Sequence, residues 1–503
     1  LAEETAGLPG ADGHLEVPAV EAEDLLSSSA AGPAAVRGGV IRISTFLVMA
    51  LMGVATAALL FRHLGVVDTG RYTTALVLSA VVTGLTDLGL TAVGIRELAV
   101  LKGEARGRLS SNLLGIRLVL TTLGVIGVTV FALIAYDAKL ALGVLIAGAG
   151  VIIQNLQVTL EVPLMASLRL GRVSLLDLTR QAFTSVLIVV LIVLGASLLP
   201  FLAAVGVAAA IVLVPTAMLV RGEVPLMPTF RLAEWRALLR PVVTYSIAVA
   251  AGTLYFRIAI VLVSLMSSSH QLGYFSVSYR VVEGLFTIPG LLVGAAFPIF
   301  ARAAHDDPER LGYAISRVFE VSLLAGVWVA LSLAVGADFA IRVVGGPEFL
   351  SAGKVLAVQG LAVGATFVSA VWAFAMLSLH LHRLILVFNL GMLVLVTVAV
   401  ATLVPIDGAQ GAAIGVAAVE ILGALGAGWL LIRGRPHLAP RMCVLPRVAV
   451  AAALGATPAL ASGLPVVVRV ILSTIIYLGV LVALKAPPDE VYEALPTRLR
   501  RRA

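Results

Sequence analysis

Cysteine is almost absent. The single Cys443 excludes a disulfide framework and a thiolate metal cluster, and a lone cysteine of this kind is expected to be a small buried apolar side chain. Charge is scarce too: Asp, Glu, Lys and Arg make up 13% of the 503 residues, about half of the roughly 25% found in soluble domains. Signatures of nucleotide and hydrolytic chemistry are missing. There is no G-x-x-x-x-G-K-[ST] phosphate loop, which excludes a built-in ATPase, and neither H-E-x-x-H nor G-x-S-x-G occurs. His270, His380 and His382 are scattered and lack metal-ligand spacing, so no metal site is expected. No long polar insertion interrupts 40–485. That argues against a membrane polymerase or glycosyltransferase, which needs a sizeable sugar-binding outer loop. The chain is not expected to be an enzyme.

What is present is apolar. The hydrophobic share is 60% and the mean hydropathy +1.07, which places the chain among all-α polytopic membrane proteins. Runs of about 20 residues, enough to cross about 30 Å of hydrocarbon, fall at 40–61, 73–95, 112–135, 139–161, 173–197, 199–220, 241–266, 272–300, 313–337, 353–379, 383–404, 409–432, 444–463 and 465–485. Fourteen transmembrane helices with both termini cytoplasmic are therefore expected. Orientation follows from arginine placement. With the N-terminus inside, the outer connections hold only Arg62, Arg71, Lys139, Arg342 and Lys354, while the inner segments take nearly all the rest. The formal charge of +7 is thereby accounted for by inner loops, and no nucleic-acid partner is implied.

In chain order, 1–36 carries Glu3, Glu4, Asp12, Glu16, Glu21, Glu23 and Asp24 with no Lys or Arg, and reads as a disordered acidic cytoplasmic tail. An N-lobe over 37–220 holds helices one to six. The linker 221–240 contains RLAEWRALLR, read as an amphipathic helix on the membrane surface anchored by Trp235. A C-lobe over 241–435 holds helices seven to twelve, and 436–503 adds two helices and a basic cytoplasmic tail. The division is supported by a repeat: AAVGVAAA at Ala203–Ala210 and AAIGVAAV at Ala412–Val419 each precede an apolar run closed by arginine. A six-helix unit repeated in one orientation implies two lobes with the substrate between them.

Charged residues at membrane depth mark the pathway, because an arginine near a bilayer centre costs about 2.5–3.5 kcal/mol on insertion scales. Between Tyr245 and Arg302 lie Arg257 in one run and Arg280 with Glu283 in the next, followed by Pro289 and Pro298. Arg257 and Arg280 fall at similar depth on antiparallel neighbours, so their guanidinium groups can clamp a diphosphate; Glu283, one turn from Arg280, joins them as a candidate, with packing by ion pairs as the alternative. Arg42 and Arg117 lie near inner ends and are expected to snorkel, with Arg42 a candidate for the inner gate. Asp87 and Glu161 are expected to pair with loop arginines, and Asp177–Arg180 and Arg317–Glu320 with each other. Arg469 is expected to snorkel outward. Glu420, mid-helix with no local partner, is the leading candidate for a coupling carboxylate, with Asp87 second. Gln154, Asn155 and Gln157 suit interhelical hydrogen bonds or sugar hydroxyls.

Several of these stretches also carry a family resemblance. Leu64–Leu98, with Gly70, Tyr72, Asp87-Leu88-Gly89-Leu90 and Arg96-Glu97-Leu98-Ala99, resembles the second-helix region of the polysaccharide-repeat (O-antigen or oligosaccharide, Wzx-type) flippases. LGYFSVSYRVVEGLFTIPGLLVGAAFPIFAR resembles their eighth helix and Gly408–Ile421 their twelfth, so the likeness runs from about Val40 to Arg435. That family belongs to the multidrug/oligosaccharidyl-lipid/polysaccharide (MOP) exporters, with multidrug extruders and lipid II flippases. The resemblance implies two six-helix lobes in a V-shaped MATE-like arrangement plus two extra C-terminal helices, in the cell (inner or plasma) membrane. It also implies a polyprenyl-diphosphate oligosaccharide as cargo, moved to the outer leaflet without a cofactor. Drive would come from proton or Na+ coupling, or from membrane potential alone, with a polysaccharide polymerase or chain-length machinery as partner. A cation extruder of the same fold is the main alternative. The sequence departs from the superfamily pattern at Ala259, where an acidic residue is usual.

Overall fold

The computed structural model describes residues 31–240, 243–461, 463–488 and 490. Every regular element among them is helical. The first half comprises α1 (Ala31–Asp87), α2 (Leu90–Val100), α3 (Gly103–Ala135), α4 (Ala138–Ala166), α5 (Leu170–Val193) and α6 (Leu198–Val220). A short α7 (Leu232–Leu239) leads to α8 (Val243–Met266), α9 (Ser269–Leu285), α10 (Ile288–Gly294), α11 (Phe297–Asp306), α12 (Pro308–Val344), α13 (Ala352–Ser378) and α14 (His382–Gly434). Last come α15 (Val444–Gly455) and α16 (Val466–Ala483). Ten helices among the described residues are long and apolar enough to cross a membrane. Their outward surface suits lipid rather than water: Ile134 is 83% exposed and Val193 80%.

Several boundaries differ from the sequence reading, each for a local reason. The acidic tail 1–36 lies mostly outside the described residues, but its end is helical, because α1 starts at Ala31 with Pro33 in the first turn, where a missing N–H costs nothing. The first two apolar runs form one element that reverses at Gly65, whose φ of 69° favours glycine. Beyond it Gly70 packs on Leu272 at the head of α9, while before it Gly53 meets Arg280 further along the same helix. The reversal in α14 falls at Asp407 and Gly408. Its arms then pair antiparallel, Gly411 against Leu403, Gly415 against Ala399 and Gly423 against Met392.

The second run stops early as well. Leu88 and Gly89 have positive φ, and the Asp87 carboxylate accepts from Gly89 N at 3.2 Å and Thr91 Oγ1 at 2.6 Å, starting α2 as a separate helix. The eighth run, expected to be one helix, is broken into α9, α10 and α11, with Pro289 and Pro298 in the first turns of the latter two.

Small residues let helices close up. Gly206 of the AAVGVAAA repeat lies backbone to backbone on Gly150 of α4, where an added Cβ would come within 2.6 Å of the Gly150 Cα. The α15–α16 pair packs on α12, where Tyr477 donates to Leu324 O at 3.0 Å and Trp328 Nε1 to Thr474 Oγ1 at 3.2 Å. Cys443, expected to be buried, is exposed at the head of α15, because the turn before that helix leaves the packed surface.

Candidate functional site

A cavity of about 540 Å³ opens between the two halves of the molecule, walled by α1, α4, α5 and α6 on one side and by α8 and α9 on the other. Arg257 reaches it from α8, and Arg280 and Glu283 from α9. Their approach follows from helix geometry. Arg257 lies nine residues before the end of α8 and Arg280 eleven after the start of α9, which at 1.5 Å per residue puts both roughly 14–17 Å from the shared turn. Glu283 sits between them: Arg257 Nη1 donates to Oε1 and Arg280 Nη1 to Oε2, each at 2.8 Å. These side chains are 26%, 38% and 28% exposed, in the order Arg257, Arg280, Glu283. A bridged group open to this degree can be reached by a ligand.

The surroundings fix both guanidinium groups. Arg257 lies 6.0 Å from the centroid of the Tyr279 ring, a cation–π distance, and Tyr279 is itself held by its hydroxyl donating to Phe256 O at 3.0 Å. Arg280 Nη2 rests against the bare Cα of Gly53, where a Cβ would be 3.0 Å away. A larger residue at 53 would push the guanidinium out of place.

Arg180 enters the same cavity from α5. The expected bond to Asp177 is present at 2.9 Å, yet the arginine also faces the vestibule, and its buried Nε has no partner. Gln154, Gln181 and Thr184 share that wall. Arg180 is the site residue that sequence reasoning missed. The signal was the polar stripe Asp177, Arg180, Gln181 and Thr184 on one face of an otherwise apolar helix.

Other candidates lie apart from this cluster. The side chain of Arg42 lies outside the described residues. Asp87 pairs with Arg117 of α3 at 2.7 Å, not with a loop arginine. Arg117 does not snorkel: it is 4% exposed, because the half-buried Asp87 carboxylate lies within reach. Arg469 on α16 is half-buried, and its Nε is buried without a partner. Gln157 donates to Glu161 Oε1 at 2.5 Å and Asn155 to Thr121 Oγ1 at 3.1 Å, so of the three α4 amides only Gln154 faces the cavity. Ala259 is buried in the core.

Glu420 has a partner after all, since the Tyr255 hydroxyl donates to its Oε1 at 2.6 Å. It is 5% exposed and lines a second cavity of about 340 Å³ within the second half. That pocket is aromatic and apolar, with Phe256, Phe286, Phe374 and Phe388 in its wall. Trp235 is half-buried against α3. Its Nε1 donates to Asn112 Oδ1 of α3 at 3.1 Å, Glu234 accepts from the amide of the same Asn112, and Thr229 N donates to Ser111 O at 3.0 Å.

A family model described as a polysaccharide biosynthesis protein matches residues 59–354, more than half of the chain. The chain belongs to this family. Among solved structures it is similar to the lipid II flippase MurJ in an inward closed conformation, with a TM-score of 0.74 and 10% identity over 88% of this chain and 98% of that one. An inward-facing multidrug resistance MATE family transporter of the MOP superfamily gives 0.59 at 14% identity, covering 79% and 97%. A MOP superfamily transporter from Pyrococcus furiosus, described by the reverse polarity of its binding pocket, gives 0.53 at 16%, covering 80% and 95%. No curated protein matches the sequence significantly. The fold is thus MurJ- and MATE-like, that of a multi-pass membrane protein, and the structural neighbours are transporters rather than enzymes.

Proposed function

We propose that this family member is a lipid-linked oligosaccharide flippase. It moves polyprenyl-diphosphate-linked sugar units from the cytoplasmic to the outer leaflet of the cell membrane, for surface polysaccharide. The observation that carries this is the gathering of Arg180, Arg257 and Arg280 around one inter-lobe cavity. Guanidinium groups present paired donors that match phosphate oxygens, and in a partly desolvated vestibule they repel cations. The sugar would lie against Gln154, Gln181 and Thr184, while the polyprenyl tail stays in lipid.

In this reading fourteen crossings with both termini in the cytoplasm form two six-helix lobes, 37–220 and 241–435. They rock about the linker 221–240 and expose the cavity to each side in turn, and 436–503 is an appendage. Inside-negative potential favours outward movement of an anion by about 2.3 kcal/mol per charge per 100 mV, so potential can drive the cycle without a coupling ion. The product would pass to a polysaccharide polymerase or chain-length machinery.

A second reading, a cation extruder, is favoured by Glu420, a buried acid in an aromatic pocket that suits an organic cation. The two separate in proteoliposomes carrying a fluorescent polyprenyl-diphosphate-sugar. The flippase reading expects wild type to flip the lipid, and Arg257→Ala and Arg280→Ala to lose flipping while still folded. A wild type that ignores the lipid but extrudes an organic cation would replace it.

A further inference from the structure

The two arginines that would hold the diphosphate are already occupied. Glu283 gives one oxygen to each, at 2.8 Å and 2.8 Å, and so spans guanidinium groups from two helices much as a diphosphate would. Resting on the flippase reading, we propose that Glu283 is an internal rival of the cargo headgroup. It holds Arg257 and Arg280 while the cavity is empty, is displaced when a diphosphate enters, and returns to help expel it.

Three features support a displaceable pair over a fixed strut. Glu283 is three residues from Arg280 on α9, so leaving and returning need only side-chain rotation, and a tethered competitor acts at high effective concentration. The bridge is part-exposed and borders a cavity of about 540 Å³, which leaves room for a swung-out carboxylate beside a ligand. The third guanidinium, Arg180, lines the same cavity and bonds Asp177 rather than Glu283, so a dianion gains a cation that Glu283 does not use. A carrier site must also bind weakly enough to release. Three guanidinium groups with only Asp177 to offset them would retain a dianion, and a second built-in carboxylate weakens the site without removing its selectivity for anions.

The test uses the purified full-length chain in detergent, titrated with inorganic pyrophosphate and geranyl diphosphate, next to flipping in proteoliposomes. Glu283→Gln, which keeps shape but loses charge, is expected to bind pyrophosphate about tenfold tighter than wild type, the loss of one competing carboxylate, and to flip more slowly. Glu283→Asp, with shorter reach, should fall between the two and guards against misfolding of the first variant. Inorganic phosphate, standing in for bulk phospholipid headgroups, should gain less than about threefold, because it cannot span both arginines. Unchanged or weaker pyrophosphate binding by Glu283→Gln, with Arg257→Ala still abolishing it, overturns the rival role alone. Equal gains for phosphate and pyrophosphate overturn the diphosphate as the displaced anion. Pyrophosphate binding that is insensitive to Arg257→Ala and Arg280→Ala overturns the flippase reading beneath it.

Discussion

The two cavities handle membrane-buried charge in opposite ways. The inter-lobe cavity gathers Arg257 and Arg280 around Glu283 and adds Arg180, paired with Asp177, with amide and hydroxyl groups nearby, and leaves them part-exposed. The pocket in the second half encloses a single acid, Glu420, among four phenylalanines and pairs it with the Tyr255 hydroxyl. Hydrated, clustered cations make a site for a large anion. A lone desolvated carboxylate makes a site for a proton or a small cation, or simply an internal polar contact. On the flippase proposal, the sign and the hydration of buried charge, more than cavity size, separate the cargo site from a coupling site.

The largest expected effect breaks the first cavity. Arg257→Ala combined with Arg280→Ala should lower flipping of a diphosphate-linked lipid at least about a hundredfold, since truncating a buried charged contact costs about 2–5 kcal/mol. Flipping kinetics, with melting as a control for folding, measure it. Next comes Asp87→Ala, which leaves Arg117 buried without its carboxylate. It should destabilise the protein by about 3 kcal/mol, the lower end for a buried pair because Asp87 is 24% exposed. Thermal unfolding in detergent would read this as a lower Tm, with cargo preference unchanged.

A smaller effect concerns the linker. Hydrogen bonding from Arg231 holds the Glu234 carboxyl below its ordinary value against an opposing effect of burial, with Asn112 adding to the lowering. A depressed carboxyl stabilises the docked linker above the unfolded value of 4.5 and loses that contribution as pH falls through the folded value. Hydrogen exchange over α7 should therefore speed up below about pH 4.5 relative to α3, beyond the ordinary pH trend. The smallest effect is on the second cavity. Glu420→Gln keeps an acceptor for Tyr255, so diphosphate affinity should change less than about twofold. Loss of diphosphate binding in this variant would erase the distinction between the two cavities.

Much of this was legible before the fold was known. The apolar runs located the helices because lipid demands long uninterrupted stretches, and depth counting brought Arg257, Arg280 and Glu283 together because α8 and α9 share one short turn. Arg180 was not legible. Its bond to Asp177 on the same helix satisfied the local pattern, and only tertiary packing turns that stripe toward α9. Tyr255 and Glu420 are 165 residues apart, and no helical spacing links them. The bond from Trp235 to Asn112 was not legible either, because an amphipathic pattern does not say which protein group the indole meets. The DLGL stretch read as a motif, whereas in the fold its aspartate accepts from Gly89 N and Thr91 Oγ1 where α2 begins and neutralises Arg117.

The most direct test locates the headgroup. A photoreactive polyprenyl-diphosphate-sugar would be crosslinked to the reconstituted full-length chain and the adducts mapped by peptide mass spectrometry. Adducts on the α5, α8 and α9 segments around Arg180, Arg257 and Arg280 are the predicted result. Adducts confined to α13 and α14 around Phe374, Phe388 and Glu420 would contradict it and move the cargo to the other cavity.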